Sequence, residues 1–338
     1  MNIFEKPRFL MLIGIAGSGK STVAEELMEE RDDIVYLSSD LLRIELLGDV
    51  NNQESNGDVF DEMRKRTQQA LKDGKHVIYD ATNVSRKKRR GLLQQLPKDV
   101  EKVACYVSTE YKDIVEQNNN RERVVPQHVI DKMYKTMQIP IYSEGWDKIV
   151  FFHHDNITNS QLPKQFTDAI RAGVLFNREG YAIMPFLAEY FSEFFGVYDL
   201  AQDSKYHSFS VSRHIYYVYK HVLDNYESTD REDMEVMLWT ALLHDVGKAF
   251  CKSFVNRKGE ETRYANFIGH EYVGSQMAVH FLHKLNFEDE FIHKVATLVQ
   301  FHMYLLDEKA NREKLKGYVG EEMFKKLEFL RDADTLAH

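Results

Sequence analysis

Residues 14–21 read Gly-Ile-Ala-Gly-Ser-Gly-Lys-Ser, directly after the apolar run Phe9-Leu10-Met11-Leu12-Ile13 and before the helix-like stretch Thr22–Glu30. No other feature constrains the fold as tightly. Gly14, Gly17 and Gly19 let the backbone curl around an anion, with Ser18 completing the turn, and the N–H groups of the loop and of the following helix point at that anion. Lys20 is placed to reach β- and γ-phosphates, and Ser21 to hold a magnesium ion (Mg). An ordinary glycine turn before a helix is the plainer alternative, but a strand-like run before and a helix after favour a site for ATP or another nucleoside triphosphate.

The chain has 338 residues, which at roughly 100–200 residues per domain predicts two domains. Hydrophobic residues make up 43%, with 21 Phe and 18 Tyr, enough for packed cores and too many for wholesale disorder. The two cysteines, Cys105 and Cys251, lie far apart and make no disulfide framework. No stretch approaches the ~20 apolar residues of a membrane span. Met1–Lys6 runs straight into the first strand, so no signal peptide is expected, and the cysteine usage leads to the expectation of a reduced, cytoplasmic setting. The formal charge of −9 argues against nucleic-acid binding by bulk charge, while leaving room for a local basic groove.

Periodicity changes midway. The first half alternates strand candidates (Arg8–Gly14, Ile34–Ser38, His76–Asp80, Lys102–Val107, Lys148–His153) with helix candidates (Lys20–Glu30, Asp40–Leu47, Asp58–Leu71, Ser85–Gln95, Tyr111–Asn119, Pro126–Met137). That alternation predicts an α/β domain with a mostly parallel sheet, whose ligands sit beyond the carboxyl ends of the strands. After about residue 155 helices dominate: Met184–Phe195, Val211–Asn225, Arg231–His244, His270–Leu285, Glu288–Gln300 and Glu321–Ala337. One β-like interruption, Lys252–Val255 and Thr262–Tyr264 with Gly259 in the turn, reads as a hairpin. The expected division is 1–155 for the α/β domain, 156–180 for a linker opened by the polar Asn156–Gln161, and 181–338 for an all-α domain with a small β-hairpin.

In the first half, Asp40 follows strand two in Ser38-Ser39-Asp40-Leu41-Leu42-Arg43. A carboxylate there orients an acceptor hydroxyl and takes its proton during phosphoryl transfer; the plainer role is an N-cap. Arg43, one turn on, suits an acceptor-side phosphate or the departing group. Asp80, at the end of strand three, is a candidate for holding magnesium through water or orienting the loop, or for capping the next helix. Arg121 and Arg123 precede Pro126 and a helix, placed to fold over the nucleotide or to form a salt-bridged surface loop. The run Arg86–Arg90 reads first as a solvated helix face and second as a phosphate-backbone contact surface.

Together these motifs resemble the kinase module of phage-type polynucleotide 5′-kinases, over roughly residues 8–153. The resemblance implies that Asp40 is the general base for a 5′-hydroxyl, that Arg43 contacts the neighbouring acceptor phosphate, and that Arg121 and Arg123 clasp the donor phosphates. P-loop kinases of small molecules share much of this layout.

In the second half, Ala241-Leu242-Leu243-His244-Asp245-Val246-Gly247-Lys248 ends an apolar helix in adjacent His and Asp. Such neighbours are close enough to grip one ion from one side. His214, His270, His302 and Asp334, from separate helices, complete a mixed imidazole–carboxylate set suited to Mn, Fe, Co, Ni or Zn. A metal there would make a nucleophile of bound water. His214, His244-Asp245 and Asp334 resemble the signature of HD-superfamily phosphohydrolases over about residues 180–338, with His270 and His302 matching the extra histidines of many members and Lys248 placed to contact substrate phosphate. His207, His221, His280, His283 and His293 are read as structural or exposed, although Lys205-Tyr206-His207 precedes the first candidate ligand in a way that resembles HD domains fused to tRNA-processing enzymes.

A 5′-kinase joined to a metal phosphohydrolase resembles the bifunctional end-healing enzymes. One site adds a 5′-phosphate; the other clears a 2′/3′-phosphate or 2′,3′-cyclic phosphate, so that a ligase acts downstream. Nucleic-acid ends, RNA ahead of DNA, are the expected partner, with no membrane. Two alternatives stand beside this reading. One is a small-molecule or nucleoside kinase fused to an HD nucleotide phosphohydrolase; the other is a non-catalytic sensor in which ATP gates the HD domain.

Overall fold

The computed structural model describes residues 6–29, 32–52, 55–121, 123–154, 161–176, 180–204 and 208–337. His207 lies outside them, as does most of Asn156–Gln161. The chain divides into two compact units, Met1–Met133 with Pro140–His154, and Tyr134–Ile139 with Asp155–His338.

The first unit runs β1 (Arg8–Ile13), α1 (Lys20–Glu29), β2 (Ile34–Ser38), α2 (Ser39–Leu47), α3 (Asn56–Lys72), β3 (His76–Asp80), α4 (Arg86–Leu93), β4 (Glu101–Ser108), α5 (Tyr111–Asn119), α6 (Gln127–Tyr134) and β5 (Lys148–His153). The strands form one parallel sheet in the order β2-β3-β1-β4-β5. Because crossovers cover both faces of a parallel sheet, its strands read as near-continuous apolar runs. Leu12, Ile78, Cys105 and Val107 join Val23 and Ala24 of α1 in the core. The register places Leu12 opposite both Asp80 and Cys105, Ser38 opposite Asp80, and Ser108 opposite His153. Polar side chains thus gather where the strands end, as the sequence predicts.

The second unit is helical: α7 (Lys164–Phe176), α8 (Ile183–Tyr190), α9 (Ser192–Phe195), α10 (Val211–Asn225), α11 (Arg231–Leu243), α12 (Lys248–Cys251), then the antiparallel hairpin β6 (Ser253–Val255) and β7 (Glu261–Asn266), then α13 (His270–Lys284), α14 (Asp289–Phe301) and α15 (Arg312–Leu336). Residues 235–243 of α11 are all buried, so this helix is the axis of the core. Trp239 packs there against Phe281 and Phe287, with ring centroids 5.7 and 5.8 Å away.

Three expectations need correction. The stretch expected as a linker carries α7, which buries Thr167, Ile170 and Val174 and packs on α11. The helix expected over Met184–Phe195 is broken at Phe191, whose extended backbone (φ −133°, ψ 124°) separates α8 from α9. The last helix begins at Arg312 rather than Glu321, because Gly320 (φ 83°) inserts a kink that periodicity alone reads as a start. Among the described residues no helix is long and apolar enough to cross a membrane. Cys105 and Cys251 are buried thiols, each pushed up to about 12 by burial.

Candidate functional sites

In the first unit the loop between β1 and α1 forms the phosphate cradle. Gly19 has φ 82°, and a Cβ built there would lie 2.0 Å from the His154 ring, so this position requires glycine twice over. His154 Nε2 is 3.0 Å from Ser18 O, which also accepts Thr109 Oγ1–H at 3.0 Å. Two side chains from the ends of β4 and β5 therefore pin the loop's backbone. Ser18 Oγ is buried without a hydrogen-bond partner among the described residues. Lys20 is buried, its ammonium donating to Ile15 O at 2.9 Å. Burial pushes its pKa down; Asp80 opposes this and Arg121 adds to it, so both charges act on the lysine. The Gly14 N–H does not face the cradle, since it donates to Thr82 O (3.2 Å).

Asp80, buried at the end of β3, accepts the Tyr36 hydroxyl at 2.7 Å. Burial and then Asp80 raise the Tyr36 pKa, while Ser38 and Ser21 act on the same phenol in the opposite direction. Ser21 and Asp80 both act on the Tyr36 phenol, and a hydroxyl beside a carboxylate is oxygen chemistry that fits a magnesium ion. The cap role for Asp80 does not arise: α4 starts at Arg86 with Ser85 as its N-cap residue.

Asp40 lies inside α2, whose N-cap residue is Ser38, so the capping alternative fails. Its Oδ1 instead takes Arg43 Nη1 at 2.7 Å and Arg123 Nη1 at 3.3 Å. Arg43 is buried, donates to Asn56 Oδ1 (2.8 Å), and keeps a buried Nε–H without a partner among the described residues. Arg123 also donates to Asn51 Oδ1 at 3.0 Å.

The basic run divides. Lys87, Lys88 and Arg90 are exposed. Arg89 is 0% exposed in its side chain and grips Glu144 with two 2.7 Å bonds, while its Nη1 donates to Asn83 O at 2.8 Å. Asn83, at φ 51°, donates to Leu12 O (2.7 Å). Arg89 is therefore a brace beneath the cradle, neither a solvated side chain nor a contact surface.

In the second unit the expected ligands converge because five helices end at one point. His214 sits in the first turn of α10, His244 caps α11, His270 opens α13, His302 caps α14, and Asp334 lies in the last turn of α15. Gly247 lets the α11–α12 turn approach α13: a Cβ there would lie 2.2 Å from His270 O. Each imidazole Nδ1 faces a backbone carbonyl at 2.7–2.8 Å, namely Ala337, Ala241, Phe267 and Val299 in chain order of the histidines. Such bonds fix the tautomer and leave Nε2 as the inward lone pair.

The inward atoms form two groups, His214–His244–Asp334 and Asp245–His270–His302, each with its ligand atoms within 4.8 Å of one another. Asp245 joins them: Oδ2 is 3.4 Å from Nε2 of both His214 and His244, and Oδ1 is 3.2 Å from His270 Nε2 and 3.8 Å from His302 Nε2. Asp245 Oδ2 is buried and accepts no well-directed hydrogen bond among the described residues, although Lys248 Nζ is 2.6 Å away. Four imidazoles and two carboxylates around that atom fit divalent metal. Burial works to raise the Asp245 pKa, but Lys248 and His244 hold it well below the carboxylate range. Burial, then His270 and His244, push His302 down to about 3, keeping it neutral as a ligand must be. Lys248 also donates to Gln202 Oε1 at 3.0 Å. A cavity of about 700 Å³ opens onto Asp245, Lys248, His270 and Asp334.

Sequence reasoning missed Tyr36, Thr109, His154 and Arg89 as parts of the first site. Tyr36, Thr109 and His154 lie outside the motifs and Arg89 is hidden in the basic run, and each takes its place through the sheet or a long-range bond.

Residues 9–140 match the AAA domain family and residues 205–338 match the HD domain family. The chain thus joins a kinase-like P-loop domain to an HD domain. Among curated proteins, the L-seryl-tRNA(Sec) kinase of Methanococcus maripaludis is 27% identical over 143 residues, which are 41% of this chain and 55% of that protein. The chain therefore spans about half the length of this curated relative. Among solved structures, the Pnkp1/Rnl/Hen1 RNA repair complex is similar over 39% of this chain and 44% of the matched chain, at 21% identity and TM-score 0.36. A gluconokinase from Sinorhizobium meliloti 1021 is similar over 45% and 85%, at 18% identity and TM-score 0.34.

Proposed function

We propose that this chain heals broken polynucleotide ends, RNA foremost, phosphorylating a 5′-hydroxyl at the P-loop site and removing a 2′/3′-phosphate or opening a 2′,3′-cyclic phosphate at the HD site. The observation that carries the reading is one chain bearing both a phosphoryl-donor cradle with an arginine-clasped carboxylate and a six-ligand centre joined by Asp245. The curated relative is named as a kinase of an RNA-borne group, which favours an RNA acceptor.

At the first site Asp40 accepts the acceptor hydroxyl's proton as its oxygen bonds the γ-phosphorus of ATP and ADP leaves. Arg43 and Arg123 hold the carboxylate in one orientation, and the spare Arg43 Nε–H suits an acceptor phosphate. Lys20 and Arg121 neutralise charge on the transferring group. Magnesium, held by Ser21 and by Asp80 through water, would screen the β- and γ-oxygens. At the second site divalent metal would lower the pKa of water and polarise a phosphoester. The histidines, fixed by their Nδ1 bonds, present Nε2 without rearrangement, and Lys248 neutralises a substrate phosphate.

The test is full-length protein with terminally labelled ATP and a 5′-hydroxyl, 3′-phosphate RNA oligonucleotide. Label on the RNA and release of unlabelled phosphate are expected. Asp40→Asn lowers transfer by about 10²–10⁴-fold while ATP still binds. Label passing to a nucleoside or other small alcohol and never to RNA overturns the reading in favour of a metabolic kinase, which the acidic balance of −9 favours.

A further inference from the structure

The β6–β7 hairpin has no part in either site's chemistry, yet it lies beside the HD cavity. Arg257 of its turn and Ala265 of β7 line that cavity together with Phe267 and Ile268, which follow the hairpin. Its base is fastened. Lys252 pairs with Asp203 (2.5 Å), the Ala265 N–H donates to Asp203 O (3.2 Å), and Asn266 Nδ2 donates to both Ser253 O and Val255 O at 3.0 Å. Two strands alone gain little stability in water. This pair nevertheless displays large apolar side chains: Phe254 is 45% and Tyr264 40% exposed, and Ile268, Met303 and Leu306 are exposed nearby.

The charge is equally uneven. In a chain of net charge −9, residues 252–266 carry Lys252, Arg257, Lys258 and Arg263 against Glu260 and Glu261. Glu260 is held by Asn256 Nδ2 at 2.8 Å. Lys252 lies 5.9 Å from the centre of the Phe254 ring, and the Arg263 guanidinium 5.4 Å from that of Tyr264, so a cation accompanies each aromatic face. Aromatic rings interleaved with cations, leading into a cavity that ends at phosphoester chemistry, are what a single strand needs: bases stack on the rings while the cations track the phosphates.

We infer that the β6–β7 hairpin is the platform that receives the single-stranded 3′ segment of a polynucleotide, stacking bases on Phe254 and Tyr264 and leading the terminal phosphate past Arg257 to Asp245 and Lys248. The inference rests on the end-healing reading and specifies its substrate: a strand of several nucleotides, not a mononucleotide. A protein or peptide partner of the same patch would gain nothing from the cavity behind it.

The test uses the full-length, manganese-loaded protein and two substrates, a 3′-phosphorylated RNA 12-mer and a nucleoside 3′-monophosphate. Anisotropy of a labelled 12-mer with a 3′-hydroxyl gives a binding readout that needs no turnover. Phe254→Ala with Tyr264→Ala is expected to weaken 12-mer binding and raise its KM by about ten- to a hundredfold, as loss of base stacking does, and to leave the monophosphate unchanged. Tyr264→Phe is expected to keep wild-type binding, because the ring remains. Arg257→Ala with Lys258→Ala is expected to reduce the salt slope of 12-mer binding by about 0.7 for each phosphate that the variant no longer neutralises. Unchanged 12-mer binding and KM in the double aromatic variant overturn the hairpin's role while the end-healing reading stands. A wild type that hydrolyses the monophosphate but never the 12-mer overturns both.

Discussion

Replacing Arg89 by Met separates a buried brace from a surface cation. Removing one partner of a buried ion pair costs about 3–5 kcal/mol, against about 0–1 kcal/mol for an exposed one. Both side chains of the Arg89–Glu144 pair are at most 1% exposed, so the larger figure applies. Glu144 would keep the Trp146 indole N–H (3.2 Å) and the Ile141 N–H (3.1 Å), which places the loss near the lower end, about 3 kcal/mol. At about 2–4 °C per kcal/mol for a unit of this size, its melting midpoint falls by about 6–12 °C. The two tryptophans lie one in each unit, so in a Trp239→Phe background the fluorescence of Trp146 follows the first unit alone. Because Arg89 holds Asn83, and Asn83 holds Leu12 O just before the cradle, ATP affinity falls as well. Adding Glu144→Gln, which removes the stranded charge and keeps an amide oxygen for one of those two N–H groups, is expected to recover part of the lost stability. A loss below about 1 kcal/mol for Arg89→Met, or no recovery in the double variant, refutes this account.

Asp245→Asn is expected to lower metal content in elemental analysis and phosphate release by more than about a hundredfold, with kinase activity retained; full hydrolysis would mean that Asp245 is not the shared ligand. Gly19→Ala is expected to weaken binding of a fluorescent ATP analogue more than tenfold through the φ of 82° and the clash with His154; adding His154→Ala relieves the clash and leaves the backbone penalty of about 1–3 kcal/mol. At Asp233 burial opposes ionisation, but Lys326, Ser228 and Tyr226 prevail and lower the pKa. A carboxyl depressed in the folded state stabilises fully above its unfolded value near 4 and loses that contribution as pH falls through the folded value. Denaturant midpoints of the second unit therefore drop in acid, less steeply in Asp233→Asn than in wild type; parallel pH profiles would remove Asp233 from the explanation.

What the sequence discloses depends on how far apart the cooperating residues lie. The cradle is legible because glycine, lysine and serine act within eight consecutive positions. The sheet is legible because buried parallel strands are short apolar runs; Ile34–Ser38, His76–Asp80 and Lys148–His153 match the observed strands residue for residue. The candidate ligands of the second unit are legible as a set through the resemblance to the HD signature, and they come together because each stands near a helix end. Arg89 is misread because local composition makes it one of five cations, and only Glu144, 55 positions away, gives it a different role. The kink at Gly320 and the break at Phe191 escape for a related reason: both flanking segments keep helical periodicity, and tertiary packing decides where the backbone departs from it. The polar stretch after His154 suggests a linker, but the apolar face that α7 buries begins only at Thr167.

The Nδ1 bonds at the HD centre have a consequence for how such a centre is built. His244, His270 and His302 each lean on the carbonyl three residues earlier in their own chain segment. Their aim is therefore set within a single turn of backbone, before any distant side chain takes part. The surrounding core has only to bring helix ends to a common point, and it is free to exchange its Leu, Val and Phe residues so long as those ends stay in place. The cage is modular: its stiffness belongs to its turns, and its shape to where the helices stop.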